Sequence, residues 1–168
     1  MKSLVVDSSV AIKWFIEENH QSEAMAISQE WIEGQIQCVV PDWFFVEVGN
    51  ILWKKLRQQA VDEYEVSRTL AELDTLPFRV VESRALTRKA VAVAIQHDRT
   101  VYDSLYIVLA IEECCSFVTA DDRLANAVAA HIPNVIKLSD WKPASSSAST
   151  TTQDLPTQDP PTSTHSNS

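Results

Sequence analysis

The sequence predicts an α/β protein with a central parallel sheet covered on both faces by helices. Three observations carry this. Short β-type runs alternate with helical stretches along most of the chain, the pattern of βαβ units. There are only two glycines, too few for a fold built on tight hairpin turns. The 168 residues, 45% of them hydrophobic, suffice for one domain with a real core.

The elements follow in order. Leu4, Val5 and Val6 read as a buried strand. Helical stretches follow near 9–16 and 22–33. A second strand at 37–40 is stopped by Pro41. The next helix, 42–58, is apolar almost all round at its start, which predicts that it is mostly buried. A helix near 62–75 leads to a weaker strand at 78–81. Helices near 83–97 and 102–114 precede a fourth strand at 116–119. A helix near 122–131 and a fifth strand at 135–138 complete the domain. The domain is expected to span 1–142, with 143–168 a disordered Ser/Thr/Pro-rich tail in which Leu155 is the one large apolar side chain.

Charge and cysteines narrow the function classes. The net charge is −9. All 14 Lys and Arg lie at or before Lys142, whereas of the 23 acids only Asp154 and Asp159 lie beyond it; 14 positive against 21 negative charges leave −7 for the folded part. This balance argues against nucleic-acid binding unless bound cations reverse the local field. Cys38, Cys114 and Cys115 are odd in number and form no C-x-x-C, which fits buried apolar residues in a reducing compartment better than a disulfide framework or a zinc site. Asp7 interrupts the first apolar run and no run is long enough to cross a bilayer, so the cytoplasm is the default.

Four acids fall where a parallel sheet presents ligands, at the carboxyl ends of its strands. Asp7 ends the first strand; taken alone, a helix cap is its stronger explanation. Glu47 sits between Val46 and Val48 near the start of a helix expected to be buried, where an acid needs a partner. A solvated stripe with Asn50 and Lys54 explains it equally well. Asp103 follows Thr100 at near capping-box spacing. Asp121 and Asp122 follow the fourth strand, and one of them is expected to cap the next helix, leaving the other free. Each acid has a structural explanation, but the combination is harder to explain away. Carboxylates clustered without counter-charges raise one another's pKa, and a divalent cation is the usual remedy. Oxygen-only donors favour Mg²⁺ or Mn²⁺ over zinc. His20, His97, His131 and His165 are scattered, and neither a phosphate-binding glycine loop nor a serine nucleophile elbow is present. A carboxylate-held metal needs no side-chain nucleophile to hydrolyse a phosphodiester.

These residues carry a family resemblance. Val5-Val6-Asp7-Ser8-Ser9-Val10, Phe45-Val46-Glu47-Val48-Gly49-Asn50, Tyr102-Asp103-Ser104-Leu105-Tyr106 and Val118-Thr119-Ala120-Asp121 resemble the four acidic motifs of PIN-domain nucleases, and their order and the short chain resemble VapC-type toxins of prokaryotic toxin–antitoxin pairs. The resemblance covers residues 1–141. It implies a three-layer α/β/α fold and Mg²⁺- or Mn²⁺-dependent RNA cleavage. It implies Asp7, Glu47, Asp103 and Asp121 as catalytic and metal-holding acids, with Ser8 or Ser9, Asn50 and Thr119 as polar residues behind them. It further implies a homodimer and a cognate antitoxin. The doubled Asp121-Asp122 and the Ser/Thr/Pro tail depart from the family pattern.

Lys54, Lys55, Arg57, Arg84, Arg88, Lys89 and Arg99 are candidate phosphate contacts, although any one of them is as readily a surface charge. Trp14, Trp31, Trp43 and Trp53 read as core or interface anchors. Two other readings compete. A carboxylate–Mg phosphatase would need a second Asp two residues after Asp7, where Ser9 stands. A catalytically silent scaffold has no reason to keep all four acids.

Overall fold

The computed structural model describes residues 1–142; the predicted tail lies outside the described residues. Five strands, β1 (Lys2–Val6), β2 (Ile36–Pro41), β3 (Arg79–Val81), β4 (Ser116–Thr119) and β5 (Val135–Lys137), form one sheet in the order β3-β2-β1-β4-β5. Every pairing is parallel. Seven helices flank the sheet: α1 (Ser8–Ala11), α2 (Gln21–Ile32), α3 (Phe44–Arg57), α4 (Glu63–Thr75), α5 (Thr87–His97), α6 (Val101–Glu112) and α7 (Asp122–Val128). The expected α/β/α architecture is therefore present.

Leu4, Val5 and Val6 are all buried, as are Cys38, Val39 and Val40. Neighbouring residues on a strand point to opposite faces, so burial of both means that both faces are covered. The strand order reverses at β1. The chain steps outward from β1 through β2 to β3, then crosses back to β4 and β5 on the other side. Right-handed crossovers put α1–α4 and α5–α7 on opposite faces. The carboxyl ends of β1 and its neighbours, at this switch point, are where such a sheet presents ligand-binding residues.

Helix α6 is the main internal column. It is buried continuously from Ser104 to Ala110 and packs on β1, β2, β4 and α5. An aromatic cluster of Trp14, Trp31 and Phe78 ties the segment after α1, α2 and the approach to β3 together, with Trp31 and Phe78 centroids 4.6 Å apart.

Four expectations need correction. Helix α3 is not mostly buried: Val46 is 75% exposed and Trp53 51% exposed, and only Phe44, Val48 and Leu52 line its buried stripe. Those residues recur every four positions, with half-buried Phe45, Glu47 and Ile51 flanking them and the opposite side open to solvent. Trp53 is accordingly no core anchor; the Arg57 guanidinium lies 5.3 Å above its ring. Cys114 is exposed, while Cys38 and Cys115 are buried as expected. It holds a φ of +50° just past the end of α6, where the chain turns left-handed to leave the helix. The helix expected at 83–97 begins as a single 3-10 turn, Ser83–Ala85, before α5. Ser83 is fixed to the loop after β2 by its hydroxyl, which donates to Asp42 Oδ1 at 2.5 Å.

Among the described residues, no helix is long and apolar enough to cross a membrane.

Candidate metal centre

Asp7 leaves the end of β1 and is 7% exposed. Its amide still follows the sheet, donating to the Val118 carbonyl at 3.1 Å. This register sets Asp7 beside Thr119 at the end of β4, and the Thr119 hydroxyl donates to Asp7 Oδ2. Asp7 Oδ1 accepts from the Ser9 amide at 3.2 Å and the Ser8 hydroxyl at 3.3 Å. Asp7 is thus the N-cap of α1 and a buried carboxylate at once. The cap explains its backbone position but not its burial. Burial raises its pKa above the usual range, against the hydrogen bonds from Thr119 and Ser9, and the charge of Asp103 raises it further.

Glu47 lies in the first turn of α3 and is half-buried. It has the internal partner that the buried one of the two readings calls for: the buried Tyr106 hydroxyl donates to Oε2 at 2.7 Å. The same hydroxyl accepts from the Ser8 amide at 3.4 Å. Burial raises the Glu47 pKa; the charges of Asp7 and Asp103 add to that, while hydrogen bonds from Ser8 and Tyr106 oppose it. Asp103 occupies the first turn of α6, whose N-cap is Thr100; the Thr100 hydroxyl accepts from the Asp103 amide at 3.1 Å. No described residue donates to the Asp103 carboxylate, so the half-formed capping box leaves it facing the site.

Glu47 and Asp103 line one cleft, and Asp103 lies near enough to Asp7 and Glu47 for its charge to act on both. None of the ion pairs among the described residues reaches any of the three. A cleft of about 600 Å³ opens over Glu47 and Asp103, walled by Trp43, Asn50, Thr100 and Tyr102. Asn50 lines this cleft without hydrogen-bonding an acid.

Asp121 is placed differently. It is exposed and caps α7, its Oδ1 accepting from the Arg123 and Leu124 amides at 2.8 and 3.0 Å. Its connection to Asp7 runs through Thr119, whose hydroxyl oxygen accepts from the Asp121 amide at 3.0 Å. No described residue donates to Asp121 Oδ2. Asp122 is the first residue of α7 and also exposed. Between the two adjacent acids, Asp121 is the cap.

The donor chemistry suits a hard divalent cation: oxygen donors, partly desolvated, with no counter-charge. The side chains are not gathered into a formed coordination shell, since among the described residues no three His, Cys, Asp or Glu groups stand as a ready metal site. Mutual repulsion of the carboxylates is the physical reason for that spacing.

Sequence reasoning found the four acids and Thr119 but gave Tyr106 no role. The available signal was a tyrosine one turn after Asp103 in an otherwise apolar, buried helix, since a buried phenol needs a partner.

Comparison with known proteins accords with this geometry. The PIN domain family matches residues 4–129. Ribonuclease VapC3 of Pyrobaculum aerophilum is 32% identical over 127 residues, spanning 74% of this chain and 93% of its own. The crystal structure of PAE2754 from Pyrobaculum aerophilum superposes with a TM-score of 0.63 at 24% identity, covering 82% of this chain and 85% of that one. A toxin–antitoxin complex from Klebsiella pneumoniae gives a TM-score of 0.55 at 15% identity over 80% of this chain and 97% of that one. VapBC2 from Rickettsia felis, bound to a DNA fragment from its promoter, gives 0.53 at 13% identity over 80% and 96%. With the family pattern spanning the sheet from β1 to the end of α7, the chain belongs to the PIN-domain family.

Proposed function

We propose that this protein is a divalent-metal-dependent endoribonuclease and the toxin of a toxin–antitoxin pair. The observation that carries the reading is that Asp7, Glu47 and Asp103 lie within electrostatic reach of one another near the carboxyl end of β1, with no basic partner among the described residues. Its similarity to Ribonuclease VapC3 supports RNA as the substrate. The toxin–antitoxin complexes among its structural relatives support an antitoxin partner. A homodimer and a cytoplasmic location belong to the same reading.

Asp7, Glu47 and Asp103 would hold Mg²⁺ or Mn²⁺, with Asp121 reaching in through the oxygen that the helix cap leaves open. The metal supplies polarisation of the phosphoryl oxygen and a water acidic enough to attack at neutral pH. The protein's share is positional. Thr119 and Ser8 fix the Asp7 carboxylate from behind, and Tyr106 fixes Glu47 against the Ser8 segment. Bonded from several sides, Asp7 cannot swing away when the cluster is charged. Asn50 and Thr100 offer polar contacts to RNA at the cleft wall. Residues 1–142 serve as the nuclease domain in this reading.

The test is cleavage of a structured RNA pool by purified full-length protein with Mn²⁺, with Mg²⁺ and with EDTA. Cleavage is expected with either metal and not with EDTA. Asp7→Asn and Asp103→Asn are expected to abolish it while remaining folded by circular dichroism. Cleavage that survives in EDTA, or in either variant, would remove the metal mechanism.

A further inference from the structure

A second concavity lies along the later turns of α3. It has a volume of about 320 Å³, and its walls include Ser9, Lys13, Glu18, Lys54, Lys55 and Ala120. In a chain of net charge −9, this pocket has three ammonium groups and a single carboxylate. Glu18 bridges two of them: Oε2 accepts from Lys13 Nζ at 2.6 Å, and Oε1 accepts from Lys55 Nζ. Lys13 is deeply placed, its side chain 9% exposed, so it cannot leave the pocket to find another anion. Burial works against the Glu18 carboxylate, but the hydrogen bonds and charges of Lys13 and Lys55 outweigh it and hold its pKa below the usual range. Lys54 is exposed and its ammonium makes no ion pair among the described residues.

The pocket adjoins the acids. The Ser9 amide donates to Asp7, and the Ser9 hydroxyl accepts from the Ala120 amide, next to Asp121. Helix α3 contributes to both concavities, with Glu47 and Asn50 lining one and Lys54 and Lys55, one to two turns further on, lining the other. An RNA strand whose scissile phosphate lies at the acids thus meets a net-positive pocket at once. A phosphodiester offers two non-bridging oxygens that share one negative charge, as the Glu18 carboxylate does to its two lysines.

We propose that this pocket is a phosphate subsite for the RNA backbone, in which Lys13, Lys54 and Lys55 grip a phosphate flanking the scissile one and Glu18 stands in as a competing anion until RNA arrives. The proposal rests on the RNA reading above. It differs from a structural ion pair in one sign: removing the Glu18 charge should strengthen RNA binding.

The experiment is anisotropy titration of a labelled single-stranded RNA oligonucleotide with the full chain across a range of salt. Asp7→Asn is present throughout so that the probe survives. Glu18→Gln is expected to bind about tenfold more tightly and Lys55→Gln about tenfold more weakly, the size of one charge-assisted hydrogen bond. Lys55→Gln should also lower the slope of log affinity against log salt by about 0.7, as loss of one single-strand phosphate contact requires. Lys54→Gln, at an exposed position that folding does not depend on, should act in the same direction as Lys55→Gln. A misfolded variant cannot imitate the tighter binding of Glu18→Gln. Equal affinity in all variants, or weaker binding by Glu18→Gln, overturns the subsite. If metal-dependent cleavage by the chain with Asp7 intact persists beside that result, the nuclease reading survives and the subsite alone falls. If no variant binds RNA and nothing is cleaved, both fall.

Discussion

Tyr106 joins segments that sequence order keeps far apart. Its hydroxyl reaches Glu47, 59 positions away, and the Ser8 amide, 98 positions away. Its ring stacks on Phe117 at 5.3 Å and meets Trp43 edge-on at 5.1 Å. Tyr106→Phe keeps these ring contacts and removes only the oxygen, which takes from the Ser8 amide its Tyr106 acceptor and leaves Glu47 with Ser8 but without the phenol donor. The expected cost is about 1–3 kcal/mol of stability, read by urea unfolding. Cleavage is expected to fall about 10- to 100-fold, the range for loss of a group that orients a metal-holding residue. Unchanged cleavage would show that Glu47 needs no orientation from Tyr106. The acids were legible because strand ends and helix starts are local signals. The partner of Tyr106 was not, because it depends on how two helices and a strand end converge. Asp121 shows the same limit: the sequence indicates that one acid of the pair caps α7, and the extended backbone at Asp121 (φ −86°, ψ 96°) decides which.

Helix α6 carries an apolar face all the way round, and this was legible as burial. Leu109, fully buried on it, touches the shared core of sheet and helices. Leu109→Ala is expected to cost about 2–5 kcal/mol, a large share of the roughly 5–15 kcal/mol that holds a domain folded. A urea midpoint unchanged by that substitution would show that α6 is not the central support. Helix α3 misled because composition was read in place of periodicity. Its apolar residues are numerous, but Val46 and Trp53 fall off the stripe of Phe44, Val48 and Leu52. All five strands lie where their apolar runs indicated; in β1, β2 and β4 the buried run reflects cover on both faces, whereas the edge strands β3 and β5 are only partly covered. Strand order was another matter. Nothing local states that β4, which comes after β3 in the chain, returns to pair with β1, yet this return brings Thr119 to Asp7.

The metal-free protein should become more stable as it is mildly acidified. Asp7 and Glu47 have pKa values raised by burial, so the folded state binds their protons more tightly than the unfolded chain does. Stability is therefore gained as pH falls from neutrality through the raised values, and the gain is complete near the unfolded carboxylate pKa of about 4. Glu18 acts in the opposite sense: its lowered pKa favours folding above the unfolded carboxylate range, and that support is lost as pH falls through the folded value. A maximum in melting temperature on the acid side of neutrality is the expected result, measured by differential scanning calorimetry in EDTA. Asp7→Asn should raise the neutral-pH melting temperature and flatten this rise. Mn²⁺ should do likewise for the wild-type chain by binding the folded state alone. A melting temperature that falls steadily from pH 7 to 5 in EDTA would mean that the acids are not uncompensated.

The sheet order has a consequence for synthesis. Its first strand is central, and one of that strand's two neighbours, β4, is made last but one. From Asp7 to Asp121 the ribosome must add more than a hundred residues, roughly ten seconds of elongation at ~5–20 residues per second. For most of that interval the chain holds Asp7, later joined by Glu47, without Asp103, and nearly to its end without Thr119. Catalytic capacity cannot grow gradually during translation. On the site proposed above it arrives when β4 closes against β1, and a chain truncated before that point is expected to leave RNA uncut.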